Sequence, residues 1–328
     1  MSSASPAVRK AVARPAAWLQ RLAPLLGLAI LCIALGIVSD RFLTFDNLIN
    51  VFRQSAVNAL LSLGQLVVII TAGIDLSSGS VLGLSCVFSA LLLKWGLPPA
   101  LSLLGALAIA SALGATNGVL LTKLRLPHPF IPTLGMMNVA RGFALVISGG
   151  FPISELPSSF RFWGAGTIAA IPVPVIVVGV CCVLFHIFLT RTTAGRDVYA
   201  IGGNPQAARL SGVPVDARLI LVYTLSGLMA GAGAIILAGR MNSGFPLAGV
   251  GAELDAIAAV IIGGASFFGG VGTVGGTLVG ALIMGVLRNG LNLLNVSAYW
   301  QTIVIGAVIV VAVWVDAMRK RAAEKSAK

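Results

Sequence analysis

Very few positions in this 328-residue sequence carry groups able to make or break bonds. Its only histidines, His128 and His186, stand far apart and offer no paired metal-ligand spacing. Cys32, Cys86, Cys181 and Cys182 all lie in apolar runs and read as small buried hydrophobes, not as a disulfide framework. With no nucleophile beside a base and an orienting group, neither a catalytic constellation nor a metal site is expected. The run Gly270-Val271-Gly272-Thr273-Val274-Gly275 spells a dinucleotide fingerprint, but an apolar helical stretch precedes it where a strand is required. No acidic residue lies between Asp255 and Asp316 to hold a ribose, and no Walker A sequence occurs anywhere. Gly270 and Gly272 are therefore read as a tight turn with close helix contacts, and the chain as one that binds no cofactor.

What remains is a set of polar residues inside apolar runs, where they are costly and are functional candidates by default. Arg141 follows Asn138 by three positions, which on a helix puts both on one face, toward protein or a wet cavity. Arg141 is read either as part of a solute pathway or as the ligand of a backbone carbonyl at a helix break. Glu253 and Asp255 open an apolar run after the Gly/Pro-rich stretch 244–251 and are read first as caps meeting the helix dipole. Asp75, followed by Leu76-Ser77-Ser78, is read the same way. Gln65, Asn117, Asn289 and Asn292 suit hydrogen bonds between helices, or contact with a hydroxylated solute. Together with Asp75, Asn138, Arg141 and Ser266 they form the candidate pathway lining. Gly73, Glu253, Asp255, Gly264, Gly270 and Gly272 are the candidate caps and turns.

The elements that must position these groups are membrane spans. The sequence is 58% hydrophobic and 10% charged, with a mean hydropathy of +1.00, against roughly 45–50% and about 25% for a soluble domain. So little charge could not cover so much apolar surface in water, which excludes an ordinary soluble enzyme, a disordered chain and a disulfide-stapled secreted domain. The 39 glycines suit helices packed backbone to backbone in a bilayer.

Apolar runs near 22–38, 55–72, 77–95, 99–122, 129–148, 171–190, 217–239, 253–267, 273–294 and 299–316 predict about ten crossings. The net charge of +12 is concentrated beside the runs rather than in a nucleic-acid footprint. Arg9, Lys10, Arg14 and Arg21 precede the first run; Arg319, Lys320, Arg321, Lys325 and Lys328 follow the last. This puts both termini on the cytoplasmic side. Lys123, Arg125, Arg191, Arg196, Arg209 and Arg218 then fall in cytoplasmic connections, outnumbering the basic residues outside. Leu22 to Val38 follows a basic segment as a signal peptide would, but without a convincing cleavage site, and is read as a retained anchor. The expected organisation is a basic tail over 1–21, a membrane domain over 22–316 and a basic tail over 317–328. Ile70 to Gly83 overlays Ile262 to Gly275 without gaps, each an apolar run broken at a Gly/Ser-rich turn, which predicts two weakly repeated halves and points to a transport pathway.

The longest cytoplasmic connection, 191–218, is the most informative soluble segment. Asn204 is a good N-cap, Pro205 suits the first helical position and Gly212 the end, which predicts a two-turn helix. Ile201, Ala207 and Leu210 would give it an apolar face in need of a partner.

In combination these residues resemble the permeases of bacterial ABC importers of the ribose type. The similarity lies in Glu253 to Val260, Gly263-Gly264-Ala265-Ser266, Gly269-Gly270, Gly275-Gly276-Thr277 and Asn289 to Leu294. Gly73-Ile74-Asp75-Leu76-Ser77 and the stretch from Ile201-Gly202-Gly203-Asn204 to Leu210-Ser211-Gly212 add to it. The resemblance implies an all-α permease of about ten helices in the inner membrane, paired with a second permease, either a copy of itself or a paralogue. It further implies two copies of a separate ATPase that use ATP and Mg, and a periplasmic protein that delivers a monosaccharide. Arg196, Gly203, Asn204, Gln206, Ala207, Arg209 and Leu210 would then belong to the coupling segment against the ATPase. The alternative is an ion-coupled secondary transporter of a small polar solute, which would want acidic or histidine relays within its helices.

Overall fold

A computed structural model describes residues 14–327; the basic residues Arg9 and Lys10, and Lys328, lie outside them. The chain is 76% helical. The first five helices are α1 (Arg14–Val38), α2 (Phe45–Ile70), α3 (Ser78–Lys94), α4 (Pro99–Lys123) and α5 (Phe130–Ser148). A short α6 (Ser158–Ala165) and α7 (Val173–Arg191) follow, then α8 (Thr193–Gly203), α9 (Pro205–Leu210) and α10 (Val215–Met241). The C-terminal part comprises α11 (Ala252–Ile262), α12 (Val274–Leu293) and α13 (Ala298–Ala327). Four two-residue strands complete it: β1 (Ile153–Ser154) pairs antiparallel with β4 (Ser243–Gly244), and β2 (Thr167–Ile168) with β3 (Ile171–Pro172).

Among the described residues, seven helices are long and apolar enough to cross a membrane: α2, α4, α5, α7, α10, α12 and α13. Residues 23–38 of α1 and the whole of α3 are apolar but shorter. Seven such helices stand where the sequence leads one to expect about ten, and the eighth expected run departs furthest. Its helix, α11, has 11 residues, about 16 Å of rise, half of what a bilayer core requires. The run is cut because Gly263 and Gly264, at the Gly/Ser-rich turn read from the sequence, end the helix at Ile262, Gly264 with φ +92°.

α2 and α10 form the centre. Residues Ala59 to Ile70 of α2 are all buried, and Gly64 lets α2 cross α10 so closely that a Cβ there would lie 2.9 Å from the Ser226 Cα. α4 packs on α10 through Ala106, Ala110 and Gly114 facing Gly227 and Gly231, and through Gly118 against Ile220; a side chain at Gly114 or Gly227 would strike backbone carbonyl groups opposite. This is the close approach that small residues permit where lipid supplies no hydrophobic drive between helices. α5, α7 and α13 lie at the periphery and expose Val146, Val180, Leu184, Val310 and Trp314, as side chains facing hydrocarbon should.

Two extended segments interrupt the bundle. Residues 71–77 join α2 to α3. Residues 242–251 run along α3, with Gly244 against the Cys86 carbonyl and Gly249 against that of Gly79, before α11 begins. α8 and α9 close one end of the molecule; α6 and the β1–β4 pair mark the other.

Candidate functional site

The first break gathers three of the sequence candidates. The Asp75 carboxylate is buried between α2, α4 and α10. Its Oδ1 accepts hydrogen bonds from the Ser77 amide at 2.9 Å and hydroxyl at 2.6 Å, and its Oδ2 from the Ser226 hydroxyl of α10 at 2.7 Å. Asn117 of α4 donates to Ser77 Oγ at 2.8 Å, and Gln65 of α2 donates to the Asp75 carbonyl oxygen. Gln65, Asp75 and Asn117 are each 1% exposed or less. They face one another, and their chemistry is to satisfy the polar groups that a broken helix frees inside a bilayer. Asp75 is not the cap of α3: Ser77 holds that position without a side-chain cap hydrogen bond, and Asp75 binds the Ser77 amide two residues ahead in an Asx turn.

Arg141 and Asn138 do not share a destination, contrary to the expectation of a common face. The Arg141 guanidinium crosses from α5 to the extended segment and donates through Nη1 to the carbonyls of Pro246 at 2.5 Å and Ala248 at 2.9 Å. Asn138 is exposed and donates back to Leu134 of its own helix at 3.0 Å. An amide half-satisfied by its own helix is free to point outward, whereas a guanidinium draws in the carbonyls of residues that lack helical partners.

Glu253 sits in the first turn of α11, and its carboxylate lies where a side chain at Gly79 of α3 would be. The starts of α3 and α11 thus meet around one carboxylate, a placement favoured by both helix dipoles. Asp255 is not a cap: Gly251 occupies that position without a side-chain hydrogen bond, and Asp255 pairs instead with Arg288 of α12 at 2.5 Å. A cation on the facing helix outbids the amides of its own first turn.

Asn289 exchanges two hydrogen bonds with Asn47 of α2, at 2.9 and 3.0 Å, and so staples α12 to α2. Asn292 accepts from Gln301 of α13 at 2.8 Å. Ser266 lies in the second break, 263–273, where its hydroxyl and the Phe267 amide both donate to Asp316 of α13, at 3.3 and 3.0 Å. Gly269 and Gly270 turn that loop with φ of +84° and +76°, a region costly for any other residue. Among the described residues, no group of three His, Cys, Asp or Glu side chains is placed to hold a metal ion.

α8 and α9 form a platform over both breaks. The Thr192 hydroxyl caps α8 by accepting from the Gly195 amide. Asn204 Oδ1 caps α9, accepting from the amides of Gln206 at 3.0 Å and Ala207 at 2.9 Å. Ala208 turns inward onto Ile201 and Val215. Ile201 is therefore part of the platform's core and not of its apolar face. Arg196, Gly203, Gln206, Ala207, Arg209 and Leu210 are exposed, Leu210 by 91%. Arg209 and Asp216 pair at 2.7 Å in the open, a contact that contributes about 0–1 kcal/mol.

The platform touches the breaks directly. The Tyr199 hydroxyl donates to the Gly272 carbonyl at 2.8 Å, and the Gly270 amide to the Ile70 carbonyl at 2.8 Å. Gly202 lies so close to Ile70 and Gly270 that a Cβ would overlap their backbone atoms. Sequence reasoning missed Tyr199, Ser226, Asn47, Gln301 and Arg288. Arg288 carried a signal, a charge inside an apolar run; the others carried none, because their partners lie more than seventy positions away or, for Gln301, beyond a turn.

The comparisons with known proteins bear on this arrangement of half-length helix, paired breaks and exposed platform. The family described as branched-chain amino acid transport system / permease component matches residues 47–313. The chain belongs to that family. The permease is 43% identical over 304 residues to the ribose import permease of Escherichia coli K12, covering 92% of this chain and 94% of that one. It is 44% identical over 307 residues to the ribose import permease of Bacillus subtilis 168, covering 93% and 94%. The D-allose transport system permease of E. coli K12 is 40% identical over 291 residues, covering 88% and 89%. No solved structure matches. The permease is accordingly a multi-pass membrane protein and a transport subunit rather than an enzyme.

Proposed function

We propose that this permease is the membrane subunit of an ATP-driven importer of a monosaccharide, ribose or a related pentose or hexose. The sugars named for its relatives, ribose, allose, fructose and xylose, support the sugar class. The permease crosses the bacterial inner membrane about ten times, α11 being a half-crossing completed by extended backbone, and both termini are cytoplasmic. Two copies form the passage, with exposed Asn138 of α5 near the axis and the turns at Gly73 and Gly264 beside it. A periplasmic binding protein delivers the sugar, and two copies of a separate ATPase supply ATP and Mg chemistry on the α8–α9 side.

The observation that carries this reading is the α8–α9 platform, exposed through Ala207 and Leu210 of α9 while Tyr199 of α8 is hydrogen-bonded to the second break and Gly202 of α8 is packed against the end of α2. When the ATPases close, α9 moves with them. Gly202 and Tyr199 pass the displacement to Ile70 and Gly272, and the packed helices switch between discrete arrangements rather than bending continuously. Gln65, Asp75 and Asn117 hold the first break together through the switch. Glu253 does the same at the junction of α3 and α11.

Leu210→Asp tests the platform. Because Leu210 is 91% exposed, the substitution leaves folding intact; the expected result is an inserted permease that no longer co-purifies with its ATPase. Undiminished co-purification would overturn the assignment of α9.

A further inference from the structure

A cavity of about 200 Å³ lies between α1, α11, α12 and α13, walled by Ala23, Pro24 and Gly27 of α1, Ile262 of α11, and Val315 and Asp316 of α13. It is smaller than the roughly 300–1,000 Å³ of sites that enclose a soluble ligand, and among the described residues Asp316 is its one polar wall residue. Its depth is that of a membrane boundary: the apolar run of α1 begins after Arg21, and that of α13 ends at Met318, before Arg319. The Asp316 carboxylate accepts from the Ser266 hydroxyl at 3.3 Å and the Phe267 amide at 3.0 Å, both on Oδ2. Oδ1 takes part in neither bond. Beyond Asp316 the same helix continues with Arg319, Lys320 and Arg321, about 5–8 Å further along its axis, and Arg321 is exposed. A carboxylate, a basic turn and an apolar cleft at one depth match a molecule that carries an ammonium, a phosphate and a hydrocarbon chain. A purely anionic headgroup matches the basic turn but meets Asp316 as well.

We propose that this cavity is a site for an aminophospholipid of the phosphatidylethanolamine type. One acyl chain enters the cleft between α1 and α13, the ammonium donates to Asp316 Oδ1, and the phosphate lies at the level of the basic turn 319–321. Basic turns at the membrane surface attract lipid phosphate, and the ammonium–carboxylate contact adds a charge-assisted hydrogen bond that selects the headgroup. The site depends on the chain being a membrane protein and not on which solute it carries. Its consequence reaches the second break. Asp316 anchors the loop 263–273 through Ser266 and Phe267, and the Gly272 carbonyl of that loop receives the Tyr199 hydroxyl of α8. A headgroup that braces the carboxylate therefore steadies the loop that the platform touches.

The test is native mass spectrometry of the full-length permease in detergent, titrated with phosphatidylethanolamine, phosphatidylcholine and phosphatidylglycerol of identical acyl chains. Choline is a cation without an N–H, and the glycerol headgroup has no cation, so the three lipids separate amine recognition from charge alone. The parent is expected to retain phosphatidylethanolamine about tenfold more tightly than either of the others, the effect of one charge-assisted hydrogen bond. Asp316→Asn keeps an oxygen for Ser266 and Phe267 but removes the charge, and is expected to bring the ethanolamine-to-choline ratio close to one. Gly27→Leu fills the cleft from the α1 side. A Cβ at Gly27 meets nothing within 4 Å, and leucine is the better helix former, so α1 keeps its place while retention of all three lipids falls. Equal retention of the ethanolamine and choline lipids by the parent would overturn the proposal, and that comparison needs no variant to fold. A parental ratio in Asp316→Asn, or parental retention in Gly27→Leu, would overturn it as well. Tightest retention of phosphatidylglycerol would reduce the site to the attraction of the basic turn for any anionic lipid.

Discussion

Asp75 shows how a costly residue becomes a structural one. A carboxylate inside a membrane domain is tolerable only when its oxygens are engaged, and Asp75 has three donors, the Ser77 amide and hydroxyl and the Ser226 hydroxyl. Ser226→Ala removes the donor that comes from α10. The expected cost is about 1–3 kcal/mol, the penalty of a buried group left unsatisfied, visible as lowered thermal stability of the purified permease. Unchanged stability would mean that the network is not rigid. Arg141 makes the same point with a cation. Its guanidinium binds the carbonyls of Pro246 and Ala248, which have no helical partners of their own. Arg141→Ala is therefore expected to reduce assembled permease in the membrane together with uptake. Full assembly with lost uptake would return Arg141 to the solute pathway.

Elements explain how an event on one face reaches the interior. α8 is joined to the second break by the Tyr199–Gly272 hydrogen bond and pressed against the end of α2 at Gly202. Gly202→Val places a side chain where the Ile70 and Gly270 backbones already stand, so α8 must shift. The expected phenotype is ATPase activity that no longer responds to loaded binding protein, while the ATPase still co-purifies through the intact α9 surface. Tyr199→Phe, which keeps the ring and loses one bond of about 0.5–1.5 kcal/mol, is expected to show the same defect in milder form. If Gly202→Val leaves stimulation at the parental level, force does not travel by this contact.

The whole molecule has exposed apolar flanks on α5, α7 and α13 and a buried axis on α2 and α10, an arrangement that suits a subunit working inside lipid beside other chains. The sequence has no Walker A motif, and Asp75 is engaged by Ser77 and Ser226, Asp255 by Arg288 and Asp316 by Ser266 and the Phe267 amide. Uptake by the assembled importer is expected to continue when an uncoupler collapses the proton gradient with ATP present, and to be absent from liposomes that hold the permease alone. Uncoupler-sensitive accumulation by the lone permease would establish the ion-coupled alternative.

Composition, hydropathy and short-range capping were decided by the sequence. Apolar runs fix where helices lie because lipid leaves backbone no other way to satisfy itself, and Asn204-Pro205 fixes the start of α9 because a cap acts within three residues. Long-range pairing was not legible there. That Asp255 would choose Arg288 over its own helix and that Asn289 would meet Asn47 both depend on which helices become neighbours. Only packing makes those choices. A buried polar group takes the best partner within about 3 Å in space, and chain order does not record that distance.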